Sequence, residues 1–342
     1  MAMEKLEGLG WISILNVDFN PRVLYVSDSL LFILGWTPEE MVGNPILDYI
    51  HPKENEKARA LIIHAIMHDS VAALTYLTMR HKNGHEVVVV SSYNCVYDRV
   101  ICSGSVAVPG QKARLRSLTA SEFVPVTDIP RARYQAMRWG KPIHGDPLPA
   151  AMAMLKNPPP LPQMEKRTCL LVNRFTRDST IYHCTNDVYL NIDEVCDHSF
   201  FHYVHPDDDE KVREIINSAK SWNRHGDSAT DGGFEYCVFR LFPNGRPLIT
   251  TPPRPVRSNK RRRSRSPPDG RKRGGGGAAA TSSSTAQATI DKKPPRGVSP
   301  EPQPDVATPE CLTVEGVFSA ASDGLIIVLR EVNGEPVPPV TL

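Results

Sequence analysis

Along the first hundred residues the apolar positions follow two rhythms, and each switch between them marks an element. Residues 11–17 and 23–26 are short apolar runs separated by Asn20-Pro21, whose turn chemistry predicts a hairpin. Ser27 or Asp28 can then accept a backbone N–H to open a helical turn over 29–34, which Gly35 ends by adopting a left-handed φ. Thr37-Pro38-Glu39-Glu40 repeats the device, with a hydroxyl cap, a proline at the first helical position and acids at the positive helix end. In 54–68, Ala58, Leu61, Ile62, Ala65 and Ile66 recur at i, i+3, i+4, i+7 and i+8, which predicts a helix with one apolar stripe laid on a sheet. Three strand-like runs follow, 72–80, 86–97 and 99–108. The first two are joined by Lys82-Asn83-Gly84, and Asn-Gly between such runs signals a hairpin because both residues tolerate positive φ.

The order then recurs. Runs at 168–175 and 180–184 flank Arg177-Asp178, and 191–196 occupies the place of the short connector. Phe201-His202-Tyr203-Val204-His205-Pro206 answers Leu47-Asp48-Tyr49-Ile50-His51-Pro52, and Asp207-Asp208-Asp209 opens a helix with Val212, Ile215, Ile216 and Ala219 on one face. Val238-Phe239-Arg240 precedes Asn244-Gly245 as Thr78-Met79-Arg80 precedes Asn83-Gly84. Self-similarity in this order argues for duplication of one fold unit. After 248–250 the pattern is interrupted by 251–310, too rich in Pro, Ser, Gly and Arg to bury a core. Residues 312–320 and 324–332, around Ala321-Ser322-Asp323-Gly324, are expected to complete the second sheet across that long disordered loop, because closure entropy grows only logarithmically with loop length. Between the repeats, 109–165 reads as a linker. Its Pro158-Pro159-Pro160-Leu161-Pro162 run suits a polyproline spacer or a docking segment, and 146–156 a short helix.

The stretch Gly35-Trp36-Thr37-Pro38-Glu39-Glu40-Met41-Val42-Gly43, with Leu47 to Pro52 after it and the strands around it, resembles the PAS domains. The resemblance implies an α+β fold of two PAS domains, each a five-stranded antiparallel sheet with helices on one face, the second interrupted by the insertion. The expected divisions are 1–108 for the first domain, 109–165 for the Pro-rich linker and 166–250 for the first part of the second domain. The insertion spans 251–310, the last two strands lie in 311–334, and 335–342 is a tail. Tandem PAS units with a nuclear signal resemble PAS-containing transcriptional regulators, including fungal white-collar-type proteins, without their zinc finger and basic-helix segments.

Charge adds one local feature. Forty Lys and Arg against 38 Asp and Glu leave a net +2, so no global field attracts polyanions. The exception is a pair of clusters, Lys260, Arg261, Arg262, Arg263 and Arg265, then Arg271, Lys272 and Arg273, spaced like a bipartite nuclear localisation signal. Phosphate binding and plain solvation are the other readings of such runs. No base-stacking aromatics are interleaved and no DNA-binding motif accompanies them, so sequence-specific DNA contact is not expected. Ser264, Ser266, Ser299 and Thr308, with Thr251, lie beside basic residues or before proline and are candidate phosphorylation sites that would mask the clusters. Seven cysteines without a CxxC pair, and no signal-peptide run, favour a reducing compartment; no stretch has the ~20 apolar residues of a membrane span.

The candidate chemistry is sparse. The cysteine motif of light-sensing LOV relatives is replaced by Gly43-Asn44-Pro45-Ile46-Leu47 in the first copy and Asp197-His198-Ser199 in the second, and Cys95 does not restore it. His64 and His68 sit on the long helix where haem-binding PAS domains offer a ligand, but the stripe turns His64 away from the sheet and His68 to its flank. Cys184, Cys196, His198, His202 and His205 match no zinc spacing. Ile63 and Met67, off the stripe, and Trp11 and Ile12, at the first strand, are candidate interface residues. The expected function is a non-enzymatic nuclear regulator, with a cytoplasmic pool, acting through another PAS protein and an import receptor and needing no cofactor. The alternative is a sensor holding flavin, haem or a metabolite in a PAS cavity.

Overall fold

The computed structural model describes residues 8–108, 116–127, 148–220, 233–247 and 310–332. The first rhythm change yields β1 (Gly10–Asn16), β2 (Val23–Val26), α1 (Leu30–Leu34) and α2 (Pro38–Met41). Gly35 closes α1 with φ 74°, as its position predicts. The Ser27 hydroxyl does not cap that turn; it accepts the Ile12 N–H at 2.9 Å and ties the turn to β1. Helix α3 (Asn55–Met67) buries the expected Ala58, Leu61, Ala65 and Ile66, and is followed by β3 (Ala73–Arg80), β4 (Glu86–Val96) and β5 (Arg99–Val106).

The sheet order is β2-β1-β5-β4-β3, but a sixth strand adds to the five expected. It comes from the stretch read as a linker. β6 (Glu122–Pro125) pairs parallel to β3, Ala73 opposite Glu122 and Tyr76 opposite Pro125. The pairing covers the unsatisfied backbone of an edge strand, and Pro125 is tolerated because it lies on the new edge. Helix α4 (Leu148–Met154), inside the predicted 146–156, lies against α3.

β7 (Thr168–Val172), β8 (Ile181–Cys184), α5 (Ile192–Val195), α6 (Asp209–Lys220), β9 (Glu235–Leu241), β10 (Leu312–Ala321) and β11 (Gly324–Glu331) repeat the first unit. Their sheet order, β8-β7-β11-β10-β9, is the same. The irregularity between Ile14 and Leu15 recurs between Leu171 and Val172, and the isolated bridges Arg22 to Pro45 and Ile50 to Met79 recur as Thr180 to Ser199 and Val204 to Leu241. Even the acid after the His-Pro is reproduced: Glu54 Oε2 accepts the Thr78 N–H at 2.6 Å, and Asp208 Oδ2 the Arg240 N–H at 2.9 Å. As expected, β10 and β11 enter the sheet between β9 and β7.

The described residues form three cores. One lies between the first sheet and its helices and a second between the other sheet and its helices. The third lies between the two sheets, where Ile12, Ile14, Leu74, Tyr76, Val90 and Ile101 meet Cys169, Leu171, Val317, Ile326 and Val328. Strand alternation explains this arrangement: β1 sends Trp11 and Leu15 to the helix side, Ile12 and Ile14 to the sheet contact. Polar contacts rim the sheet contact, with the Ser322 hydroxyl accepting the Gly10 N–H at 2.9 Å and Ser29 donating to Asp323 at 2.6 Å.

Candidate functional site

The helix-facing side of the first sheet does not close completely on α3. A cavity of about 100 Å³ remains, walled by Ala58, Leu61, Ile62, Ala65 and Ile66 of α3, by Pro21, Ile46 and Ile50 of the connecting loops, and by strand residues including Trp11, Ser13, Leu77, Ser91, Tyr93 and Cys102. The wall holds no Lys, Arg, His, Asp or Glu. Most of its polar groups are already engaged: Thr75 donates to the Val124 carbonyl at 2.6 Å and Ser91 to that of Ser92 at 3.3 Å.

Tyr93 is different. The residue is 6% exposed, and its hydroxyl has no hydrogen-bond partner among the described residues. A buried hydroxyl left unpaired costs about 1–3 kcal/mol. Burial first, then the negative charge of Glu122 and the nearby Cys95 and Cys102, push its pKa well above the ordinary tyrosine value, so the group is a neutral donor at any physiological pH. Burial likewise pushes the Cys102 thiol up to about 12 against a hydrogen bond with Ser13, which leaves it un-nucleophilic.

The second unit supplies an internal control. Matching the two sheets by hydrogen-bond register, Tyr93 opposite Cys102 corresponds to Phe318 opposite Ile327, Ser91 opposite Thr75 to Gly316 opposite Cys237, and Ser13 to Leu170. Every polar wall residue is thus replaced by an apolar residue, glycine or cysteine, and Tyr93 by the same ring without its hydroxyl. Phe239 packs 6.1 Å from Phe200 and 6.2 Å from Phe318 between ring centroids. A Cβ on Gly316 would come within 2.7 Å of Phe318, so these rings fill the space.

The residues singled out from sequence scatter. Trp11 lines the cavity, Ile12 lies in the sheet contact, and Ile63 is 2% exposed. Ile63 was expected on a solvent face; instead α4 and the β6 segment pack on that side of α3, burying Ala60 and Ile63 and leaving Met67 half-buried. His64, expected to face solvent, has its Nε2 2.5 Å from Glu122 Oε1, and Ser70 donates to the other oxygen at 2.8 Å. Neither His64 nor His68 lines the cavity. Among the described residues no three His, Cys, Asp or Glu side chains gather as metal ligands. Lys260, Arg261, Arg262, Arg263, Arg265, Arg271, Lys272 and Arg273, with Ser264, Ser266, Ser299, Thr251 and Thr308, lie outside the described residues. Sequence reasoning passed over Ser13, Ser91 and Tyr93; the signal was hydroxyls at helix-facing strand positions where the second copy has Leu, Gly and Phe.

Glu122 fastens β6 to α3. Burial alone would raise its pKa, but hydrogen bonds from His64 and Ser70 and the proximity of His64 and His68 outweigh it and hold the carboxyl below its ordinary value. A depressed carboxylate contributes stability that is present above its unfolded pKa and lost as pH falls through the folded one. Wild type is therefore expected to melt above Glu122→Gln near neutral pH, with the gap closing below about pH 4.3; a gap independent of pH in thermal melts refutes this role.

The first unit is thus an α+β sheet closed on one face by a long helix around a small cavity. Residues 23–100 match the family described as the PAS fold. Solved structures similar to this chain include the PAS domain of the Cronobacter turicensis RpfR quorum-sensing receptor in complex with BDSF, 17% identical over 29% of this chain and 94% of that one, with a TM-score of 0.26. The N-terminal domain of a diguanylate cyclase with PAS/PAC sensor from Marinobacter aquaeolei is 13% identical over 28% and 94%, TM-score 0.26. Drosophila melanogaster Cycle PAS-B with bound ethylene glycol is 19% identical over 28% and 99%, TM-score 0.24. No curated protein matches the chain.

Proposed function

We propose that this protein is a non-enzymatic signalling regulator whose first PAS unit senses a small molecule and whose second repeat, a PAS unit by its matching strand order, receives the signal. The observation that carries the reading is the cavity of about 100 Å³ left between α3 and the first sheet, whose wall holds no charged side chain. The route is short. Trp11, Ser13 and Cys102 face the cavity, while their neighbours Ile12, Ile14 and Ile101 face the second sheet, so a shift of these strands on one side reaches the other. The alternative of flavin or haem is disfavoured because either ring system far exceeds about 100 Å³. PAS-to-PAS pairing, expected with another protein, has its counterpart inside the chain in the back-to-back sheets. The two basic clusters at 260–273 support nuclear import, and with it a role in transcription.

The test is a thermal-shift screen of the full chain against small neutral molecules, followed by hydrogen exchange with any hit. A ligand at about 100 times its Kd adds about 2.7 kcal/mol, which raises the midpoint by several degrees. Protection is expected in β4 and β5 and, across the sheet contact, in β11. A folded protein indifferent to the whole set overturns the sensor reading; protection confined to the first unit overturns the relay.

A further inference from the structure

We propose that the segment from Pro158 to Gln163 is a preformed docking strip for a partner domain whose groove is lined by aromatic side chains, the kind that reads polyproline helix. The proposal goes beyond the cavity and does not depend on it. The conformation follows from composition: each proline fixes its own φ at about −65° and drives the residue before it out of the helical region. Every residue from 157 to 162 is either a proline or directly before one. The stretch accordingly lies outside any helix or strand, and among the described residues the backbone of 158–163 forms no hydrogen bond, in keeping with polyproline II. Burial repeats with the three-residue turn of that helix. Pro159 and Pro162 are half-buried against the molecule, whereas Pro158 and Leu161 form one exposed row and Asn157, Pro160 and Gln163 another. A three-sided helix resting on one row leaves two rows, and the furrow between them, for a partner.

Both ends of the strip are tied down. Before it, α4 packs on α3, and the Asn157 N–H donates to the Met154 carbonyl at 3.2 Å. After it, Met164 is buried in the core of the first unit, and the Glu165 N–H donates to Asp69 at 2.8 Å. The strip is therefore held straight before a partner arrives, and association does not carry the entropy cost of ordering it. The competing reading is a plain spacer. A spacer needs stiffness alone, which the prolines supply, and a polar residue at 161 would serve it better in water. Leu161 instead continues the Pro158 row with apolar surface, 50% exposed. The open carbonyls of such a helix suit the N–H of Trp and the O–H of Tyr, which aromatic grooves carry at their surface. Charge agrees with this partner: Lys156 and Lys166 flank the strip and are exposed, while Glu165 is engaged by Arg167 and Arg330, so a groove with an acidic rim fits.

The experiment titrates an array of isotope-labelled SH3 and WW domains, whose grooves are aromatic, with the unlabelled full chain and follows the domains by NMR. At least one member is expected to bind with a Kd of about 1–100 μM, weak because so short a strip buries less than about 1,200 Å², and to shift its groove resonances. Leu161→Ser keeps a residue before Pro162 and with it the extended backbone; it is expected to weaken that binding at least about tenfold by removing buried apolar surface. Lys156→Glu is expected to weaken it at least about threefold by opposing the acidic rim. Both residues are exposed, so circular dichroism and the melting temperature should stay at their wild-type values. No binding by any member at about 1 mM, shifts that lie outside the groove, or binding indifferent to both substitutions overturns the proposal. The sensor reading is not at stake in any of these outcomes.

Discussion

Leu171→Asp is expected to part the two sheets while leaving each folded on its own helices. Leu171 is 1% exposed in the core between the sheets, opposite Ile326 of the neighbouring strand and among Ile12, Ile14 and Ile101 of the first unit. The side chains that make up this core are apolar apart from the hydroxyl of Tyr76 and the thiol of Cys169, and an unpaired buried charge costs several kcal/mol, on the order of 4 or more. The sheets can avoid that cost by separating, since the carboxylate then reaches water. The helix-side cores stay intact, because Leu170 and Val172, the residues on either side of Leu171, face the other way. Urea unfolding followed by circular dichroism is therefore expected to change from one transition to two, with the first midpoint shifted well below that of wild type. Leu171→Ile, which keeps the volume, should cost less than about 1.5 kcal/mol. One transition at an unchanged midpoint for the aspartate variant sinks the account of the sheet contact.

Arg167→Met is the second large effect. The Arg167 side chain is 6% exposed and its guanidinium reaches the Asp69 carboxylate at 2.7 Å, the Asp69 carbonyl at 3.2 Å, the Cys95 carbonyl at 2.8 Å and Glu165 at 2.5 Å. It thus joins the residue before β7 to the turn that leaves α3, and that turn is unusual: Asp69 and Ala72 both have positive φ, 49° and 56°. Non-glycine residues hold such angles only where their surroundings impose them. The second oxygen of Asp69 accepts the Glu165 N–H at 2.8 Å, so one carboxylate is held by two groups of the incoming chain. Removing the guanidinium leaves the Asp69 charge and the Cys95 carbonyl unmet, at a cost of about 3 kcal/mol, toward the low end for a broken buried pair because Asp69 keeps 23% exposure. A double-mutant cycle with Asp69→Asn should show coupling of at least about 1 kcal/mol. A loss below about 0.5 kcal/mol for Arg167→Met would show the contact to be dispensable.

Much of this molecule can be read along the chain. The stripe of Ala58, Leu61, Ala65 and Ile66, the Gly35 stop and the Asn83-Gly84 turn rest on local rules, so each appears where its spacing put it. The duplication is legible for the same reason: a repeated fold needs repeated local signals, and the bulge at Leu171/Val172 repeats that at Ile14/Leu15. Even the return of β10 and β11 to a sheet begun at residue 168 could be anticipated, because an incomplete set of strands leaves an open edge to be filled.

Other features depend on residues far apart. Ile63 looked solvent-facing because helical periodicity knows only the helix, and α4, some ninety positions on, covers it. β6 looked like spacer because a four-residue strand has no periodicity of its own; it exists through β3 and the His64 to Glu122 contact. The cavity was invisible because Ser13, Ser91 and Tyr93 lie on β1 and β4 and face one space only once the register is set. The sequence by itself therefore determined the elements, their order and their repetition, since propensity and periodicity act within a few residues. Tertiary structure alone decided which faces meet and where space is left, because burial and empty volume are properties of several segments at once.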